Sequence, residues 1–158
     1  MRYRFYIAVF AALLLAHLPL VASAQVTEWE NQAADCEPDG PTMQMAYCLA
    51  AKHQLADSLL NVVYQQAISQ IQKSTEPNAA EQEEATRVAQ RAWIQFRDAD
   101  CDRVNAVYAS GSIRPVMVQD CLLEHTKQRT VRFMNDHNIE VPLPPALDFS
   151  AYLLWFRD

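Results

Sequence analysis

Three stretches of the chain carry apolar residues at helical spacing. From Met43 to Gln72 there is no proline or glycine. Apolar positions recur there at Met45, Cys48, Leu49, Leu55, Leu59, Leu60, Val63, Ile68 and Ile71. Spacings of mostly three and four predict one long amphipathic helix. The turn-forming run Glu37-Pro38-Asp39-Gly40-Pro41 precedes it, with Thr42 as the expected N-cap. Lys73 to Asn78, with Pro77 inside, breaks the pattern. A second stripe (Ala85, Val88, Ala89, Ala92, Trp93, Phe96, Val104, Val107) predicts a helix from Ala79 to Tyr108. Glu81, Glu83 and Glu84 lie in its first turns, where the helix dipole favours negative charge. Ser110-Gly111-Ser112 ends it. A third helix is expected from Pro115 to Asp136, with Val118, Cys121, Leu122, His125, Arg129 and Phe133 along one side.

Long helices with short connections predict an all-α fold, an antiparallel three-helix bundle running up-down-up. Gly40 and Gly111 are the only glycines, too few for the turns of an all-β sandwich. After Asn138 the pattern changes. Val141-Pro142-Leu143-Pro144-Pro145 excludes regular helix, and the end carries Phe149, Tyr152, Leu153, Leu154, Trp155 and Phe156. This Pro-rich, apolar C-terminal tail is expected to dock on the bundle, since a free apolar tail promotes aggregation; the other reading is an exposed anchor for a partner.

The N-terminus reads as a cleavable signal peptide over residues 1–24. Arg2 and Arg4 open it, Phe5 to Leu20 is almost wholly apolar, and Ala22-Ser23-Ala24 supplies the small residues of a cleavage site. The apolar run of about 16 residues is short for a hydrocarbon core of ~30 Å, and His17 and Pro19 interrupt its end, so a retained span is not expected. The first cysteine is Cys36, so no lipid-anchoring cysteine follows the cut. The chain thus divides into the signal (1–24), an N-terminal segment with the first cysteine (25–41), the helical domain (42–137), and the Pro-rich linker and aromatic tail (138–158). The product is expected to be soluble in the periplasm or the medium.

Export alters the charge. The chain has 13 Lys+Arg and 19 Asp+Glu; with Arg2 and Arg4 removed, 11 remain against 19, a net −8. That argues against nucleic acid and anionic lipid as partners and suits a cationic one. Cys36, Cys48, Cys101 and Cys121 form an even set in an oxidising compartment, which reads as two disulfides rather than a metal site. In a helical hairpin centred on Gly111, Cys101 and Cys121 lie level, so they are the preferred pair; Cys36–Cys48 follows by elimination, with the other pairings left open.

The same hairpin geometry gathers polar residues in mid-bundle. Asp57 falls near Arg97, Arg97 level with His125, and Trp93 level with Arg129. Asp57, Leu60, Asn61 and Tyr64 share one helix face; Gln90, Trp93, Arg97 and Cys101 share another. Asp57, Asn61, Tyr64, Gln90, Arg97 and Arg129 are therefore expected to form an interhelical network around the Trp93 ring, a structural staple in preference to a ligand site. Asp98, Asp100 and Asp102 imitate the start of a calcium loop, but the sixth position is Arg103, the twelfth is Ala109, and the segment is helical; a solvated acidic face is expected instead. Cys121 and His125 have metal-pair spacing, yet a disulfide would consume the sulfur. No nucleophile elbow, HExxH or phosphate loop occurs, so neither an enzyme nor a cofactor is expected.

In order along the chain, these motifs resemble the LprI-type lysozyme-inhibitor domain: Cys36 and Cys48, then Asp57-Ser-Leu-Leu60-Asn61-Val-Val-Tyr64, then Gln90-Arg91-Ala92-Trp93-Ile94-Gln-Phe96-Arg97-Asp98-Ala-Asp-Cys101, then Gly111-Ser112, then Cys121-Leu122-Leu-Glu-His-Thr126-Lys-Gln-Arg129. The resemblance covers residues 36–134 and is most specific from Gln90 to Cys101. It implies a small exported helical domain whose namesake inhibits lysozyme, and hence a basic lysozyme or another cationic envelope protein as partner. A plug for the lysozyme cleft would come from Ala109–Arg114 or from Lys73–Ala80. The chain departs from the namesake in lacking a lipoprotein cysteine and in carrying the tail after residue 138. A competing reading from another class is a structural or adaptor protein of the envelope that binds through this tail.

Overall fold

The computed structural model describes residues 40–150. The expected signal peptide, Cys36 and the tail beyond Ser150 lie outside the described residues. Within them the chain forms three α-helices and no strand: α1 (Thr42–Lys73), α2 (Ala79–Val107) and α3 (Arg114–Asp136). None of these helices is long and apolar enough to cross a membrane.

The helix ends have local causes. Pro41 takes the N-cap position of α1, with Thr42 as the first helical residue, and no side chain caps the end. The expected Thr42 cap is thus displaced by one residue: the fixed φ of proline leads directly into the helix. Ser74 stops α1 in an extended conformation. Asn78 precedes α2, and its Oδ1 accepts a 2.8 Å hydrogen bond from Gln82 Nε2. Pro115 occupies the first turn of α3. At the other end of α3, Asn138 adopts φ 50°, a left-handed conformation that asparagine tolerates better than most residues. Ile139 N–H then donates to Met134 O (2.8 Å) and Asn138 N–H to Asn135 O (3.4 Å), the paired bonds of a Schellman turn. The turn reverses the chain and directs Ile139 into the core.

The core lies mainly between α1 and α3. Leu55, Ala56, Leu59, Leu60, Val63 and Ala67 of α1 meet Leu123, Val131 and Phe133 of α3. The buried Thr126 and Thr130 satisfy their hydroxyls by donating to Leu122 O and Thr126 O one turn back (2.7 and 2.8 Å). Ile139, Leu147 and Phe149 complete the same cluster, so the segment after α3 contributes to the core as far as Phe149.

The helix α2 departs from expectation. Its apolar stripe was expected to be buried, yet Val88, Phe96 and Val107 are 48, 59 and 67 % exposed, and Cys101 is its only buried residue. It presents a different edge to the other helices, one built from Glu83, Arg87, Gln90, Trp93, Arg97, Asp100 and Cys101. Four contacts show its course. Gln72 pairs with Glu83 and Asp57 with Arg97, while Gln90 pairs with Arg129 and Cys101 with Cys121. Against α1 and against α3 alike, rising residue number on one helix meets falling number on the other.

Candidate functional site

Two places in the molecule concentrate chemistry. The first is the inward edge of α2. The Trp93 ring has the Arg97 guanidinium 5.2 Å and the Arg129 guanidinium 5.6 Å from its centroid. Both distances are within cation–π range. Arg97 reaches Asp98 (2.8 Å) and Asp57 (3.6 Å), and Asn61 Nδ2 donates to Asp57 (3.4 Å). Arg129 Nε donates to Gln90 Oε1 (2.9 Å), and its guanidinium also lies 4.5 Å over Phe133. Tyr64 meets Phe133 edge to face at 5.6 Å. Asp57, Asn61, Tyr64, Gln90, Trp93, Arg97 and Arg129 are therefore joined in one chain of contacts through all three helices. Burial pulls the Arg129 guanidinium below its ordinary value, and no carboxylate pairs with it among the described residues.

Beside this network sits His53, which sequence reasoning did not connect to it. Its Nε2 is the one buried side-chain polar atom without a hydrogen-bond partner among the described residues. Burial, and next the Arg97 charge, hold the imidazole below its ordinary value, against smaller opposing effects of Asp57 and Asp98. The only signal in the sequence was the i, i+4 step from His53 to Asp57.

The second place is the end of the molecule that carries the disulfide. Cys101 and Cys121 are bonded, with Cα atoms 5.7 Å apart. Cys48 is also disulfide-bonded, and the expected pairing with Cys36 involves a residue outside the described ones. His125 Nε2 lies 2.9 Å from Asp100 Oδ2, not against Arg97. Hydrogen bonds from His125 and then Arg103 draw the Asp100 carboxyl below its usual range. Asp98 and Asp100 are thus engaged by Arg97, Arg103 and His125, and the expected solvated acidic face is in part an ion-paired one. Cys101, Cys121 and His125 bring donor atoms within 4.8 Å of one another, but disulfide sulfur is no thiolate ligand.

Two shallow grooves open at this end. One, of about 290 Å³, lies between α2 and α3 along Arg103, Val104, Val107, Tyr108 and Met117. The other, of about 280 Å³, lies between α1 and α3 along Met45, Leu49, Lys52, Val116 and Met117. Asp120 borders both. Between α2 and α3 the chain makes two successive tight turns, closed by Gly111 N–H to Tyr108 O (2.9 Å) and Arg114 N–H to Gly111 O (3.2 Å).

The family model for lysozyme inhibitor LprI matches residues 33–132. The chain belongs to the LprI lysozyme-inhibitor family. The match spans most of the three helices, the Trp93 network and the disulfide end, and stops within α3. The segment from Phe133 to Phe149, which supplies Phe133, Ile139, Leu147 and Phe149 to the core, lies beyond it. A relative in Rhizobium meliloti (strain 1021), an uncharacterised protein, is 31 % identical over 103 residues, covering 61 % of this chain and 73 % of its own. No solved structure matches. The LprI match lends the chain an inhibitor's role in general terms.

Proposed function

We propose that this LprI-family chain is an exported, non-catalytic binding protein that inhibits a lysozyme-type muramidase by occluding its cleft. The observation that carries the reading is the family match over residues 33–132. Charge supports it. After loss of residues 1–24 the chain has net −8, and a basic lysozyme would be steered toward it over long range. The polar groups support a binding role over a catalytic one. Trp93, Arg97 and Arg129 engage one another, and Asp98 and Asp100 of α2 are paired with arginine or histidine instead of converging on an open cavity.

The scaffold in this reading is an antiparallel up-down-up three-helix bundle with two disulfides, consistent with the paired residues 72 and 83, 57 and 97, 90 and 129, and 101 and 121. The Trp93 network holds helix register within it. Location in the periplasm or the medium rests on the signal-like residues 1–24.

Lysis of a peptidoglycan suspension by a C-type lysozyme, followed with increasing amounts of the exported chain, tests the proposal. Inhibition that weakens between low and physiological salt is expected. Undiminished lysis with micromolar chain present would exclude this lysozyme class as target.

A further inference from the structure

Resting on that inhibitor reading, we propose that the disulfide end is the face that enters the lysozyme cleft. The double turn Tyr108–Ile113 leads, and Arg114 meets the catalytic carboxylates. The two connectors that could act as plugs differ in charge. Glycosidase clefts of this kind hold a pair of carboxyl groups flanking the scissile bond. The connector between α1 and α2 opens on Lys73, carries Glu76, and is followed by Glu81, Glu83 and Glu84 in the first turns of α2, so carboxylates outnumber the one cation that precedes them. Inserted into such a cleft it would set carboxylate against carboxylate. The turn between α2 and α3 carries no acidic residue from Tyr108 to Ile113 and ends on Arg114. Arg114 is exposed and makes no ion pair among the described residues; its guanidinium makes one hydrogen bond there, to Ala109 O at 3.4 Å. An exposed guanidinium without a carboxylate, in a chain of net −8, is available for bidentate contact with a carboxylate.

The surroundings of the turn fit docking. Its backbone bonds close the turn, and the Cys101–Cys121 bridge ties together the two helices that carry it, constraints that lower the entropy lost on binding. Met43, Tyr47 and Val107, at 55, 70 and 67 % exposure, stand at the same end of the molecule, beside the grooves that meet at Met117. Exposed apolar groups with shallow grooves between them supply the dehydrated centre of an interface. The acidic flanks, Asp120 among them, then face the basic body of the enzyme while Arg114 faces its acidic cleft.

Three forms of the exported chain test this against a C-type lysozyme: the unaltered protein, Arg114→Glu, and Glu76→Arg at the opposite connector. Circular dichroism and disulfide mapping verify the fold of each. Inhibition by Arg114→Glu is expected to fall at least about tenfold, the worth of one charge-assisted contact. Glu76→Arg is expected to stay within about twofold, as for a surface change outside an interface. Hydrogen exchange on the unaltered complex gives a second reading that needs no variant. Residues 109–114 should gain protection on binding and residues 74–80 should not. Loss of inhibition in Glu76→Arg with Arg114→Glu unaffected, or protection confined to residues 74–80, overturns the assignment and leaves the inhibitor reading standing. Failure of the unaltered protein to bind or inhibit overturns both.

Discussion

Removing the Cys101–Cys121 bridge should loosen α2 first, because little else buries it. Cys101 is the only buried residue of that helix, whereas α1 buries ten. The remaining attachments of α2 are partly exposed: Gln72 to Glu83, Arg97 to Asp57, the Arg129–Trp93 cation–π contact, Arg129 to Gln90, and His125 to Phe96 and Asp100. The bridge closes a loop of 20 residues. In the chain-entropy treatment that restrains the unfolded state by about 11 cal/mol/K, or about 3.3 kcal/mol at 25 °C. For a domain of this size the double variant Cys101→Ala/Cys121→Ala should melt on the order of 10–20 °C lower. Urea denaturation followed by circular dichroism at 222 nm gives the free-energy difference. Native-state hydrogen exchange locates it: α2 amides should lose protection by more than those of the α1–α3 core. A loss below about 1 kcal/mol, or an equal loss of protection in all three helices, would refute the view that the bridge is the principal anchor of α2.

Other perturbations have equally definite outcomes. Trp93→Leu removes two cation–π contacts and should cost about 2 kcal/mol in urea denaturation, while Ile94→Ala one residue along, on a 39 % exposed side chain, should cost under about 1 kcal/mol. Phe149→Ala should cost about 3 kcal/mol, as for a core phenylalanine; near-neutrality would mean that this segment is not part of the core. His53 titrates lower in the folded than in the unfolded chain, so the unfolded chain takes up the proton first. Its contribution is complete above the ordinary value of 6.5 and is lost as pH falls from there through the lowered folded value; urea stability of His53→Gln should therefore vary less with pH across that window. Asp100 adds a similar loss further down, below the ordinary carboxylate value of 3.8, which Asp100→Asn should remove from an acid titration.

The helices were readable from the sequence to within a residue at their ends because proline and glycine are so few and so placed. Periodicity was less informative about which side of α2 is buried. Ala85, Val88, Ala89, Ala92 and Phe96 form an apolar stripe as regular as those of the other helices, yet they face solvent. The edge that packs inward is amphipathic, with Arg87, Gln90 and Arg97 presenting long side chains whose stems are apolar and whose tips bond, around the Trp93 ring. A hydrophobicity pattern scores such an edge as polar. The group around Trp93 could be anticipated because hairpin geometry sets residues at equal distances from a turn side by side. It failed for Arg97 and His125, since a shift of one turn instead brings His125 to Asp100. The grooves bounded by Met117 and Asp120 had no precursor in the sequence. They arise from how three helix ends meet, which no single-helix pattern encodes.

The central claim is occlusion of a lysozyme cleft, and competition for that cleft tests it most directly. Calorimetric titration of a C-type lysozyme with the exported chain, alone and then with the cleft filled by a chitin oligosaccharide, distinguishes occlusion from binding elsewhere. The account predicts a complex whose apparent affinity falls in proportion to oligosaccharide occupancy. A complex indifferent to the oligosaccharide, or no heat of binding at all, would contradict it.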